Sequence, residues 1–299
     1  MPDDRHTGTS AAGLLATTDT LPVLPYIAHE ILVTTSTNDV DIATVAKVLG
    51  REPGLTARII AVANYAFFSR RETIYSLERA IMRIGLNRVR VLATSLLLNQ
   101  VFDTSKCPAF HLERYWYESI ATAFCAARLA PHTLPEHGSE AAYLGGVLHN
   151  IGLLLLVHVF PNAMNDILSR RQDEPDRPLS LLTFQELGCD YHEAGEMLLH
   201  EWQLPEAIVA VAGGPERNRY GAPAARGAPG THGRLIETVE FAHHWVQAGL
   251  EGIEAPAALQ IEATTLQRIG AACAEEHEPL AAFARLLAGN DTRSPATRH

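Results

Sequence analysis

The stretch Gly145-Gly146-Val147-Leu148-His149-Asn150-Ile151-Gly152 decides how this chain is read, because it has the form of a metal motif from which one ligand has been removed. A neighbouring His-Asp pair on a helix offers an imidazole and a carboxylate to a divalent cation. Asn150 offers only a neutral amide, a far weaker ligand that carries no charge. Upstream, the pattern predicts a helix that begins at Ser139 and runs towards His149. Downstream, residues 153–159 are apolar on almost every face, which predicts a segment in the middle of a core.

Working outward, nearly every patterned segment has helical period and none sustains two-residue alternation, so the expected fold class is all-α. Ile42, Val45, Ala46 and Leu49 fall at i, i+3, i+4 and i+7, with Asn38 or Asp39 available as N-cap. Leu55, Ile59, Val62, Ala63 and Ala66 repeat the pattern. Ser76 opens a helix carrying Leu77, Ala80, Ile81 and Ile84, which Gly85 can close, and 86–101 starts again at once. A long helix is expected over 112–130, ended by Pro131 and Pro135. A polar loop is expected over 169–178, followed by helices over 179–187 and 191–202 and one that begins with Pro205 at its first position. Residues 213–233 hold six glycines and three prolines, with Arg217, Arg219 and Arg226 among them and Arg234 just beyond, and read as a flexible loop. Three more helices are expected over 235–250, 264–273 and 279–287.

Composition sets the frame. With 299 residues, 47% hydrophobic and 19% charged, the chain has enough apolar surface for one large core or two moderate ones. A net charge of −10 argues against a sequence-independent grip on nucleic acid or anionic lipid, each of which needs a basic face. Cys107, Cys125, Cys189 and Cys273 lie far apart and form no C-x-x-C pair, so they read as small buried residues of a reducing compartment rather than a disulfide framework. Residues 1–20 lack the order of a signal peptide, and the run 151–160 is about half the length that spans a bilayer. The expectation is a soluble cytoplasmic protein.

The motifs carry a resemblance. Glu52-Pro53-Gly54-Leu55-Thr56-Ala57-Arg58-Ile59-Ile60-Ala61-Val62-Ala63-Asn64 resembles the DP-x-L-x-x-x-[IL]-L-x-x-[AV]-N signature of the HDOD family, and Ile74-Tyr75-Ser76-Leu77, Ala80-Ile81 and Ile84-Gly85 continue it in order. The octapeptide 145–152 is similar to the family's GLLHDIG. Glu186, His192, Gly195, Leu198-Leu199, Trp202 and Leu204-Pro205 match its last stretch, so the resemblance covers roughly 21–212. It implies a two-part helical bundle whose C-terminal half is related to the HD superfamily of metal phosphohydrolases, acting in bacterial signalling. The expected organisation is a flexible N-terminus over 1–20, an N-terminal helical subdomain over 21–105, an HD-like subdomain over 106–290 and a flexible tail over 291–299.

An active HD-type hydrolase needs several His and Asp ligands on one cation, which activates a water and orients a phosphate. In this chain His149 keeps half of the His-Asp pair and Asn150 has lost the other half. His192 matches a histidine that active relatives use, Gly213-Gly214 stand where many relatives place a His-His pair, and His243 stands where an Asp is expected. These positions read as a vestigial site, with no metal and no cofactor expected. His149, Asn150 and His192 are expected to serve as buried, hydrogen-bonded side chains that tie helices together. Asn64 reads as a residue that caps or turns the chain, and with Tyr65, Phe67, Phe68 and Arg58 it offers the alternative of an interaction surface.

The expected function is therefore a non-catalytic signalling or regulatory module that binds a protein partner in a bacterial pathway, with no direct nucleic-acid or membrane contact and with homo-oligomer formation left open. Two alternatives stand beside it: a divergent metal-dependent phosphohydrolase acting on a nucleotide or cyclic dinucleotide, and a nucleotide-sensing pocket faced by the arginines of the 213–233 loop.

Overall fold

The computed structural model describes residues 13, 21–34, 42–64, 73–135, 138–214, 232–252 and 254–289, and among these there is no strand. The two termini, most of the 213–233 loop with Arg217, Arg219 and Arg226, and the aromatic trio Tyr65, Phe67 and Phe68 lie outside the described residues. Contacts divide the chain into two compact units, each assembled from separated stretches. One takes 102–110 and 149–228 with the N-terminus up to Val23; the other takes 24–101, 111–148 and 229–299.

The larger unit begins with α1 (Tyr26–Thr34), α2 (Ile42–Leu49), α3 (Pro53–Ala63), α4 (Leu77–Ile84) and α5 (Leu86–Val101). Their buried stripes are the apolar periods of the sequence: Val45, Ala46 and Leu49 in α2, Leu55, Ile59 and Val62 in α3, and Leu77, Ala80, Ile81 and Ile84 in α4. Ser76 caps α4 by accepting a hydrogen bond from the Arg79 amide at 3.3 Å, and Gly85 closes it with φ +88°. Pro53 starts α3. At its other end Asn64 does more than cap: its Nδ2 donates to the Ile74 carbonyl and its Oδ1 accepts from the Ile74 amide, both at 2.8 Å. One side chain thus satisfies the donor and the acceptor of a backbone ten residues away, as a strand partner would.

The same unit is centred on α6 (Leu112–Thr133), against which α7 (Gly138–Leu148), α13 (Gly233–Gln247), α14 (Ala263–Ala274) and α15 (His277–Leu287) pack. Pro131 does not end α6, contrary to the sequence expectation; the helix runs on to Thr133. Its last turn is secured from outside, because the Thr238 hydroxyl on α13 donates to Thr133 Oγ1 at 2.9 Å and the Thr133 hydroxyl donates back to the Leu129 carbonyl at 3.3 Å. Gly146 on α7 meets α6 backbone to backbone: a Cβ there would stand 2.3 Å from Ala123 Cα.

The smaller unit contains α8 (Ile151–Val159), α9 (Pro161–Asp173), α10 (Leu179–Leu187), α11 (Tyr191–Glu201) and α12 (Glu206–Gly213). Two α-helices among the described residues escaped the sequence reading. The first is α1. The second is α9, which takes in 169–173 of the expected polar loop. Only Met164 and Ile167 of α9 are buried, too thin an apolar stripe to stand out, while Pro161 starts it and Arg170 and Arg171 in its last turn suit the negative helix end. Pro205 sits one place earlier than expected, as the N-cap of α12. The stretch 102–110 is sewn onto this unit by the Asp103 amide donating to His158 Nδ1 at 3.0 Å, the Ala109 amide donating to Asn165 Oδ1 at 3.0 Å, and the Phe102 ring between those of His158 and Trp202.

The apolar stretch Gly138–Val159 is long and apolar enough to cross a membrane, more than the ten-residue run noted in the sequence, yet 78% of its apolar window is buried inside the protein. The helix is also broken at His149-Asn150. All four cysteines are buried and unpaired.

Replacing Asn64 by Ala removes both bonds to Ile74, and the expected loss is about 2 kcal/mol of unfolding free energy. Urea denaturation measures it. Asn64→Asp should recover only the part carried by the accepted bond.

Candidate functional site

The break at His149-Asn150 leads straight into a tight helix crossing. Gly152, in the first turn of α8, lies so close to α11 that an added Cβ would stand 1.9 Å from the Tyr191 carbonyl oxygen and 2.4 Å from the Gly195 amide nitrogen. Tyr191 and Gly195 bracket His192, so the crossing sets His192 beside the turn that carries His149 and Asn150. Asp190 fixes where α11 starts: its Oδ1 accepts from the amides of His192 and Glu193 at 2.8 and 2.9 Å, and Glu193 returns a bond to the Asp190 amide, closing a capping box.

His192 is half-buried and held by backbone. Its Nδ1 lies 3.2 Å from the Ala212 carbonyl oxygen, an acceptor, so Nδ1 carries a proton and donates it there. The Tyr191 ring lies against the imidazole with centroids 4.1 Å apart. Gly214, with φ +68°, presses on the other side: a Cβ on it would come within 2.8 Å of His192 Nδ1. Gly214 therefore brings main chain up to the imidazole, at a position where a larger side chain does not fit without movement.

His149 and Asn150 are both buried. The expectation that Asn150 ties helices through its amide meets a different arrangement, since its Oδ1 is buried without a hydrogen-bond partner among the described residues and does not cap α8. The peptide turns at this position with φ −109° and ψ 19°, outside the extended conformation usual for an N-cap residue. His243 lies on α13 in the larger unit, half-buried, its ring 5.9 Å from that of His244. Within either unit, the described residues hold no group of three His, Cys, Asp or Glu side chains placed to share a metal ion. Of the proposed interaction residues, Arg58 is exposed on α3, Asn64 is engaged with Ile74, and Tyr65, Phe67 and Phe68 lie outside the described residues. Arg234 is exposed, its guanidinium 3.5 Å from the Thr133 carbonyl.

With this geometry in place, the comparisons give the class. The model of the HDOD domain matches residues 21–213, nearly the span that the motifs cover, and the chain belongs to the HDOD domain family. The solved structures it resembles include a protein of Marinobacter aquaeolei VT8 named for signal transduction (TM-score 0.74, 22% identity, covering 95% of this chain and 63% of that one). Others are a protein of Shewanella amazonensis SB2B named for phosphohydrolase activity (TM-score 0.66, 23% identity, 94% and 100% covered) and an HDOD domain protein of Geobacter sulfurreducens (TM-score 0.67, 20% identity, 93% and 96% covered). At these identities the likeness is one of fold. A protein of Treponema pallidum (strain Nichols) whose name assigns no function is 24% identical over 233 residues, 78% of this chain but 43% of that relative, so this chain spans less than half of the relative's length.

Gly152→Ala should be among the most damaging single substitutions in the chain, costing about 3 kcal/mol or more, because both obstructing atoms are backbone. Thermal unfolding of the variant tests this. A second expectation concerns Cys189, whose thiol is pushed up to about 12, first by burial and then by Glu193 and Asp190. At pH 8 only about one molecule in 10⁴ carries that thiolate, so a thiol reagent should modify Cys189 only after unfolding.

Proposed function

We propose that this HDOD chain is a non-catalytic signalling module that works by binding a protein partner in the cytoplasm. The observation that carries the reading is the enclosure of His192 by main chain: Ala212 O accepts from its Nδ1 and Gly214 abuts it, where an active relative would supply further ligands. Asn150 adds a second reason, since an amide neither balances the charge of a cation nor accepts a proton from a bound water. The larger unit offers a surface for a partner. Tyr75, just before α4, is 84% exposed, and Met82, on the side of α4 opposite its buried stripe, is 65% exposed, with Arg79 exposed as well.

One feature favours the hydrolase alternative. An Nδ1–H bonded to a backbone carbonyl is the arrangement that orients Nε2 of metal-binding imidazoles. The two readings part on one experiment. Protein purified without a His tag is incubated with Mn²⁺, Ni²⁺ or Zn²⁺, assayed for retained metal, and tested on cyclic dinucleotides and a model phosphodiester. The expected outcome is no turnover above the metal blank, while hydrolysis that disappears in both His149→Ala and His192→Ala would overturn the proposal. For the partner, the Tyr75→Ser/Met82→Ser variant should lose at least tenfold in recovery of a protein that the wild type captures under inducing conditions. Equal recovery by wild type and variant rules this surface out.

A further inference from the structure

The four cysteines are not equivalent. Cys107 and Cys189 fall in the smaller unit, whereas Cys125 and Cys273 fall in the larger one, on helices α6 and α14 that pack against each other. Cys125 is 1% and Cys273 3% exposed, and both are reduced. Cys273 completes the short stripe Ile269, Gly270 and Cys273, the residues that α14 buries. Two contacts pin the end of α14 to α6. The Glu276 amide donates to the Cys273 carbonyl at 3.1 Å, and the Glu276 carboxylate pairs with Arg88. The Arg88 guanidinium in turn lies 5.5 Å from the centroid of the Phe124 ring, the neighbour of Cys125 in the chain. His277, the next residue, sets its ring against that of Tyr117, also on α6, with centroids 5.3 Å apart. With the helices held in this way the two sulfurs meet, the Cys125 thiol donating a hydrogen bond to the Cys273 sulfur.

That bond divides the pair chemically. Donation from Cys125 favours the thiolate at Cys273 and holds its pKa down, helped by the Arg128 guanidinium and opposed by burial, while the same bond keeps the proton on Cys125. A sulfur with thiolate character beside a thiol is the arrangement of an attacking and a resolving cysteine. Burial selects the oxidant by size. The stripe that holds α14 is thin, so the helix opens locally at modest cost, and hydrogen peroxide enters where a bulky peptide disulfide does not.

We propose that Cys125 and Cys273 are a redox pair that a small hydroperoxide converts to an intramolecular disulfide, a reversible covalent tie between α6 and α14. In the first step the Cys273 sulfur attacks one oxygen of hydrogen peroxide, the O–O bond breaks, hydroxide leaves, and Cys273 becomes a sulfenic acid. In the second the Cys125 sulfur attacks the Cys273 sulfur, the S–O bond breaks, and the departing hydroxide takes up the Cys125 proton as water. Two thiols and one peroxide thus give one disulfide and two waters. A dithiol reverses the reaction by thiol–disulfide exchange. The pair lies wholly within the larger unit and stands whether or not the His149 region binds a metal.

Thiol counting on the whole chain tests the pair. After treatment with hydrogen peroxide and removal of the excess, titration with a thiol reagent in denaturant should find two fewer thiols than the four of the untreated chain. Peptide mapping without reductant should place the link between Cys125 and Cys273, and dithiothreitol should restore all four thiols. Urea below the unfolding transition should speed the reaction several-fold, as local opening requires. Cys125→Ala should form no internal disulfide, whereas Cys189→Ala, altered in the smaller unit, should form it at the wild-type rate. Four thiols surviving a peroxide dose that oxidises the unfolded chain overturn the proposal. So does a link between other cysteines or between two chains, or conversion of Cys273 to sulfinic acid without any link to Cys125.

Discussion

Backbone pressed against backbone is the constraint on which both units rest. In the smaller unit Gly152 lets α8 reach the Tyr191 carbonyl and the Gly195 amide, and a side chain of any size would force the helices apart. The position of α11 in turn sets where α12 can lie, and α12 supplies the carbonyl that holds His192. In the larger unit Gly146 lets α7 touch Ala123 of α6 in the same manner. Both glycines belong to the octapeptide that first suggests a metal site. In this chain the octapeptide is a packing motif twice over, and that role needs neither His149 nor a carboxylate at position 150.

Charge is distributed by burial rather than by sequence position. Along the chain, Arg58, Arg83, Arg88 and Arg90 look like solvated helix faces in a protein of net charge −10. Folding separates them: Arg58 stays in water, Arg88 takes Glu276 as partner 188 residues away, and Arg90 is drawn under the surface beside Glu140 and Tyr143. Burying a guanidinium costs free energy unless carboxylate and hydroxyl groups replace the lost water, so the position of Arg90 is intelligible only with its neighbours in place.

The legibility of the helices follows the same physics. Where a helix buries a full stripe, as α3 and α4 do, or carries its own cap, as Ser76 and Gly85 provide, its limits can be read locally. The helix α9 buries two side chains and leaves little periodic trace. The end of α6 is a different failure. Pro131 should stop a helix through its missing amide hydrogen, and it does not because Thr238, more than a hundred residues away, secures the next turn. Within the candidate site, the residue types at 149, 150 and 192 and the glycines at 213 and 214 were visible in the order of the motifs. The Ala212 bond to His192 and the pairing of Arg88 with Glu276 were not, since each joins positions with no fixed spacing.

What the sequence by itself determined is therefore the all-helical class, the family span and the absence of a carboxylate at Asn150, because these depend on local periodicity and on residue identity. Tertiary structure alone decided that three separated stretches form each unit, that Asn64 pairs with Ile74, and that main chain closes on His192. The reason is common to all of them. A hydrogen bond or a van der Waals contact between distant residues has a definite energy only once the chain has brought the two groups within about 3 to 4 Å, and no local pattern encodes that meeting.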